Sequence, residues 1–253
     1  MKKDSPTYTE QMSVNNQNKK ASDTTILNLD TIRGCTNNCA SCYAKKVSLK
    51  KHFNIPVPVK RYTGRPDLTK TYRFGCCGDP STDWNHTETL IKLYGFINYF
   101  MITKLQSLEG YTGLCNKLQV SVDPLNEEHF NITLQNVETL ISKYPNIQIV
   151  LRIRSCASYS YGINFLMKKA MDFAKKYNLP VLETRTRFVT KSDLIKYCIQ
   201  DKYYTFRKGY FRPNKGTSFL KTSYVCDLKE KSCKGCKNCL KLFGFLNEER
   251  KVA

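Results

Sequence analysis

The sequence predicts an α/β fold: a partial TIM barrel, (β/α)6, with a Cys-rich C-terminal extension. Two observations predict it. From about residue 25 onward, short β-branched and aromatic runs alternate with stretches of helical spacing, and six such runs can be counted before residue 190. Alternation of this kind favours a parallel sheet with right-handed crossovers. A doubly wound open sheet shares the pattern and stays an alternative. It typically carries a Gly-rich phosphate turn after the first strand, where this chain has a cysteine loop. At 253 residues there is length for one sizeable core and a small appendage.

Taken in order, residues 1–24 are polar, rich in Asn, Gln, Ser and Lys, and are expected to be a flexible leader. Strands are expected over 26–32, 71–77, 98–103, 118–123, 147–153 and 180–188. Helical spacing covers 87–96, 133–144 and 163–177. In the second of these Leu134, Val137, Leu140 and Ile141 share a face, and Asn178 and Pro180 stop the third. A further helix is expected over 192–200, with Ser192 as its N-cap. The core is thus assigned to 25–202, and a basic, aromatic, Cys-rich extension to 203–253. From Lys202 to the end there are thirteen Lys and Arg against four Asp and Glu, among Tyr203, Tyr204, Phe206, Tyr210 and Phe211.

Charge and cysteine usage bound the function. The formal net charge of +20 favours a polyanionic partner, nucleic acid above all, although charge speaks to association and not to reaction type. No stretch approaches the roughly 20 apolar residues of a membrane span, and the lysine-rich start leads into no apolar signal core. No membrane partner is expected, and the protein is expected in the cytosol. There, twelve cysteines serve metal or catalysis more plausibly than disulfides.

Seven of those cysteines form two groups. Cys35, Cys39 and Cys42 follow the first expected strand with the spacing C-x3-C-x2-C, enough to hold three irons of a [4Fe-4S] cube and leave the fourth open to a small ligand. A zinc site is the bland alternative, but structural zinc normally takes a fourth protein ligand. Cys226, Cys233, Cys236 and Cys239 fall within 14 residues and can saturate one centre, either an auxiliary iron-sulfur cluster or a structural zinc.

The first loop, placed after a first strand, resembles the signature of the radical S-adenosylmethionine (SAM) enzymes, and the six-unit layout resembles their partial barrel. The opening Cys42-Tyr43-Ala44 with a Cys-rich end also resembles uncharacterised phage proteins. The resemblance implies a [4Fe-4S] cluster that reductively cleaves SAM to a 5′-deoxyadenosyl radical for hydrogen abstraction. It also implies a reductant such as flavodoxin or ferredoxin. Gly78 and Asp79, after the second strand, stand where that family contacts the SAM amino group. Ser121 and Asp123 share one side of the fourth strand and reach toward a ribose or an amino group at the mouth. Arg152 and Arg154 share one side of the fifth and suit a carboxylate or phosphate. Glu183 on the sixth strand is expected to pair with an arginine, as ligand or structural ion pair. Cys156, beyond the fifth strand, is a candidate hydrogen-atom donor whose alternative role is packing. The expected substrate is a nucleic acid or nucleotide. The alternatives are a peptide-modifying or glycyl-radical-activating radical SAM enzyme, and a non-enzymatic zinc-dependent nucleic-acid-binding protein.

Overall fold

The computed structural model describes residues 26–37, 39, 42, 53–188, 190–197, 201–207, 210–214, 218–222, 224–226 and 237–245. The leader expected over 1–24, Cys198, Cys233 and Cys236 lie outside the described residues. In chain order the elements are β1 (Ile26–Leu29), β2 (Ile32–Arg33), β3 (Val57–Pro58), β4 (Thr71–Phe74), α1 (Trp84–Tyr94), β5 (Tyr99–Thr103) and β6 (Lys117–Val122). Next come α2 (Glu127–Lys143), β7 (Gln148–Ser155), α3 (Tyr161–Lys176), β8 (Val181–Arg185) and α4 (Lys191–Tyr197). The chain then forms β9 (Tyr204–Arg207), β10 (Tyr210–Pro213), β11 (Tyr224–Val225) and α5 (Asn238–Leu242).

Seven strands form one parallel sheet in the order β1-β4-β5-β6-β7-β8-β11, curled as a half-barrel. Because the order never reverses, the sheet has no topological switch point, which removes the doubly wound alternative. Alternation along the strands separates two cores. One face carries Phe74, Met101, Leu118, Val120, Val122, Leu151 and Ile153, which pack with Trp84, Phe130, Leu134 and Val137 of the outer helices. The other face carries Ile26, Phe100, Val150 and Leu182. These side chains are covered by Leu240, Phe243 and Phe245, so the C-terminal segment fills the lower part of the lumen. Phe243 stacks on Phe100 with centroids 5.0 Å apart. A third cluster joins the loop after β7 to α4 and the β9–β10 hairpin through Phe188, Leu194 and Tyr204.

Several boundaries differ from expectation, each for a local reason. The first expected strand splits in two: β1 joins the main sheet, and β2 pairs antiparallel with β3. The second ends at Phe74 because Gly75 turns the chain at φ +83°. The three long helices start earlier than their apolar period. The side chains of Asp83, Asn126 and Ser160 accept the backbone N–H groups of His86, His129 and Ile163 respectively, and so fix first turns that lie ahead of the apolar period. At α4 the cap is Thr190, not Ser192: its Oγ1 accepts the Asp193 N–H at 3.0 Å. The connection from β5 to β6 carries no helix among the described residues. Strand β11, a seventh neighbour beside β8, was not expected.

Candidate functional site

The cysteine loop and the residues leading into it are bound to the segment after β4 by four long-range hydrogen bonds and a β-bridge. Gly34 donates its N–H to the Cys77 carbonyl at 3.0 Å, and Gly34 and Gly78 form an isolated parallel bridge. The Asp30 carboxylate accepts the N–H groups of Cys76 at 2.7 Å and Cys77 at 2.9 Å. Burial pushes the Asp30 carboxyl up, against those two donors and the charges of Arg33 and Arg73. Finally, Asn37 Nδ2 donates to Asp79 Oδ2 at 2.7 Å. Gly78 is glycine because a Cβ there would sit 1.8 Å from the Ile32 carbonyl oxygen. The close approach expected at Gly78 is therefore made by the base of the cysteine loop.

Asp79 also departs from its expected part. Besides Asn37, its carboxylate accepts the Ser81 N–H and hydroxyl, the Thr103 hydroxyl at 2.7 Å and the Lys104 N–H at 2.9 Å. Five donors occupy the lone pairs of both oxygens, so Asp79 acts as a structural hub between the loop and β5.

Within the loop, the Asn37 N–H points at Cys35 Sγ at 3.4 Å and Cys42 N–H bonds the Cys39 carbonyl at 3.2 Å. Burial pushes the Cys35 thiol up to about 12, helped by the Asp79 charge and by Cys39 and Cys42. Burial also raises Cys39; Lys104 and Arg154 oppose the rise, and Asp123 and Cys42 add to it. The three thiols thus share one neighbourhood at the C-terminal end of the sheet. Among the described residues no three His, Cys, Asp or Glu side chains converge tightly enough to hold a metal ion. A cubane spreads its thiolates over three irons and so needs a looser spacing than a single ion does. Soft donors in a buried loop become thiolates only with a bound positive charge, so their chemistry fits a metal cluster.

Beside the thiols, Asp123 Oδ2 accepts both Lys104 Nζ and Arg154 Nη1, each at 2.9 Å. Burial opposes ionisation of Asp123, but Arg154 and Lys104 outweigh it and hold the carboxyl well below the usual range. Asp123 is thus spent on two cations. Ser121 lies two residues below it, opposite Arg152 in the register with β7. No family model, curated protein or solved structure matches this chain.

Arg152 is set deeper than Arg154. Its Nε donates to Thr184 Oγ1 at 2.8 Å, and with Arg73, Gln119, Cys226 and Cys239 it lines a cavity of about 30 Å³ above the C-terminal segment. Burial pushes the Cys239 thiol up to about 11, against the Gln119 hydrogen bond and the charges of Arg73 and Arg152. Glu183 accepts the hydroxyls of Ser155 and Ser218 and the Phe219 N–H, which ties β8 to the segment before β11. Cys156, which directly follows β7, is 2% exposed and packs with Phe188, Leu194 and Tyr204.

Two residues at this site were not expected. Lys104 immediately follows β5, and the strand-end rule that drew attention to Asp123 applies to it equally. Cys77, which belongs to neither cysteine group, lies within the electrostatic reach of Asp30 and Cys42.

Proposed function

We propose that the chain is a radical SAM enzyme on a (β/α)6 partial barrel. The observation that carries this reading is the gathering of Cys35, Cys39 and Cys42 at the C-terminal end of a parallel half-barrel, beside Lys104, Asp123 and Arg154. In it, Cys35, Cys39 and Cys42 would hold a [4Fe-4S] cluster, which together with SAM would supply a 5′-deoxyadenosyl radical for hydrogen abstraction. The chain's own residues bind and orient. Lys104 and Arg154 present positive charge to the thiols, suited to a carboxylate or phosphate, and Asp123 fixes both head groups through one shared oxygen. Asp79 and Gly78 keep the cysteine loop against the sheet. A nucleic acid or nucleotide is the favoured substrate, supported by the charge of +20 and by exposed Tyr159, Tyr161 and Phe165 in the segment after β7. A flavodoxin or ferredoxin would deliver the electron.

Anaerobic reconstitution tests this. The expected protein is brown, holds about four irons or more per chain, and forms 5′-deoxyadenosine from SAM under dithionite; Cys39→Ala abolishes the nucleoside. Colourless zinc protein that leaves SAM intact overturns the reading. That outcome belongs to the alternative, a non-enzymatic zinc-dependent nucleic-acid-binding protein.

A further inference from the structure

We infer that the exposed face of the β2–β3 ribbon is the docking surface for an acidic, flavin-bearing electron carrier of the flavodoxin type, which delivers its electron there to the iron held by Cys35, Cys39 and Cys42. The inference rests on the cluster proposed above and adds where, and through what chemistry, its reductant binds. Arg33 stands opposite Val57 in the antiparallel register, so the two side chains share one side of the ribbon. Ile55 is 57% exposed and Val57 55%, and Arg33, Lys60 and Arg61 are exposed beside them. A small aliphatic centre is thus rimmed by three cations, the plan of a protein–protein contact with an apolar core and a polar rim.

The ribbon is built onto the cysteine loop. Arg33 precedes Cys35 by two residues, a span of at most about 7 Å. The Cys35 N–H donates to the Phe53 carbonyl at 2.8 Å, and a Cβ on Gly34 would sit 2.7 Å from the Ile55 carbonyl oxygen, so the segment leading into β3 lies directly against the loop. Beyond β3 the Val59 N–H donates to the Thr31 carbonyl at 2.8 Å, and His86 Nε2 meets the Val59 carbonyl at 3.0 Å, which anchors the ribbon to the body of the fold. A carrier seated on Ile55 and Val57 is therefore separated from Cys35 by little more than the ribbon itself.

Charge and side-chain type name the partner. Between Asp30 and Asp67 the sequence holds eight Lys and Arg and no Asp or Glu. Such a stretch attracts an acidic surface and speeds the encounter. A nucleic acid is attracted by the same charge, but its bases stack on aromatic rings, and the exposed apolar side chains here are aliphatic. They suit the apolar dimethylbenzene edge of a flavin. A contact of this kind belongs with the weak redox encounters that bury less than about 1,200 Å². One electron leaves the reduced, anionic flavin, which is oxidised, and enters the iron, which is reduced; no bond forms or breaks and no proton moves.

The test compares two reductants, because dithionite is small and needs no docking surface. The full, iron-loaded chain is prepared as wild type, as Lys60→Glu with Arg61→Glu, and as Val57→Ser. Each is given SAM with dithionite or with reduced flavodoxin, and its affinity for flavodoxin is measured separately by titration calorimetry. All three are expected to form 5′-deoxyadenosine alike under dithionite. The charge reversal is expected to weaken flavodoxin affinity about tenfold at low salt, less at high salt where the pairs are screened, and to slow the flavodoxin-driven reaction. Val57→Ser is expected to weaken affinity at either salt. Unchanged flavodoxin affinity in either variant, or variants that lose a single-stranded oligonucleotide and keep flavodoxin, overturns the docking alone. Wild type that forms no nucleoside even under dithionite overturns the cluster reading, and the docking with it. Should the charge reversal lose the dithionite-driven reaction as well, Val57→Ser decides.

Discussion

A methyl group on Gly78 would lie 1.8 Å from the Ile32 carbonyl oxygen and 3.1 Å from that of Gly34. Both neighbours are backbone, so relief requires β4 and the cysteine loop to separate. Gly78→Ala is expected to cost about 3 kcal/mol in urea unfolding, at the upper end for overpacking, whereas a wild-type midpoint would show that the two segments are not in contact. Asp123 invites a different test. Its carboxyl titrates lower in the folded chain than the unfolded value of about 3.9, so its contribution is complete above that pH and is lost as pH falls through the folded value. Asp123→Asn leaves Lys104 and Arg154 side by side without their anion and is expected to lose about 3 kcal/mol at pH 7. The gap between variant and wild type should shrink below about pH 4; a gap that stays constant to pH 2 would contradict the ion pair. The side of the strand occupied by Asp123 and Arg154 was legible from period-two alternation. The saturation of Asp79 was not, because its five donors come from residues 37, 81, 103 and 104, and only the fold brings these together.

At the scale of elements, apolar periodicity located every strand of the sheet except β11. That strand is two residues long, too short to show a period, and it is held by its pairing with β8. Periodicity placed the helix starts late for a physical reason: each first turn is fixed by a side-chain cap, joined at α2 by the charges of Glu127 and Glu128, and a cap leaves no mark on the apolar period. The fate of the C-terminal element was hidden altogether. Composition marked residues after 202 as basic and cysteine-rich, while the three residues that bind the segment to the sheet, Leu240, Phe243 and Phe245, are an ordinary apolar trio in sequence. Phe243 is 3% exposed against Phe100, so Phe243→Ala is expected to cost about 3–5 kcal/mol. Chemical denaturation with tryptophan fluorescence from Trp84 reads it, since Trp84 sits in the opposite core and reports only if the sheet unfolds as one unit. A loss under about 1 kcal/mol, well short of a core truncation, would mean that the segment is a detachable tail.

Viewed as a whole, the molecule stacks three layers along one lumen: aromatic floor, arginine-lined cavity and thiol-bearing mouth. Over all of it lies the charge of +20. A field of that size attracts polyanions by releasing their counterions, so binding to a single-stranded oligonucleotide should weaken linearly in log Kd against log salt, by a slope of about 0.7 for each phosphate contacted. Charge alone would give that slope for any sequence and leave aromatic rings out of it. If the exposed Tyr161–Phe165 pair, stacked at 6.3 Å, receives bases, then Tyr161→Ala with Phe165→Ala lowers affinity at every salt concentration while leaving the slope unchanged. Replacing the same rings should not touch an affinity that is purely electrostatic. Fluorescence anisotropy from 50 to 300 mM salt distinguishes the cases. A curve displaced in parallel assigns the mouth-side aromatics to nucleic acid, and a curve that does not move confines the interaction to the lysine-rich surface.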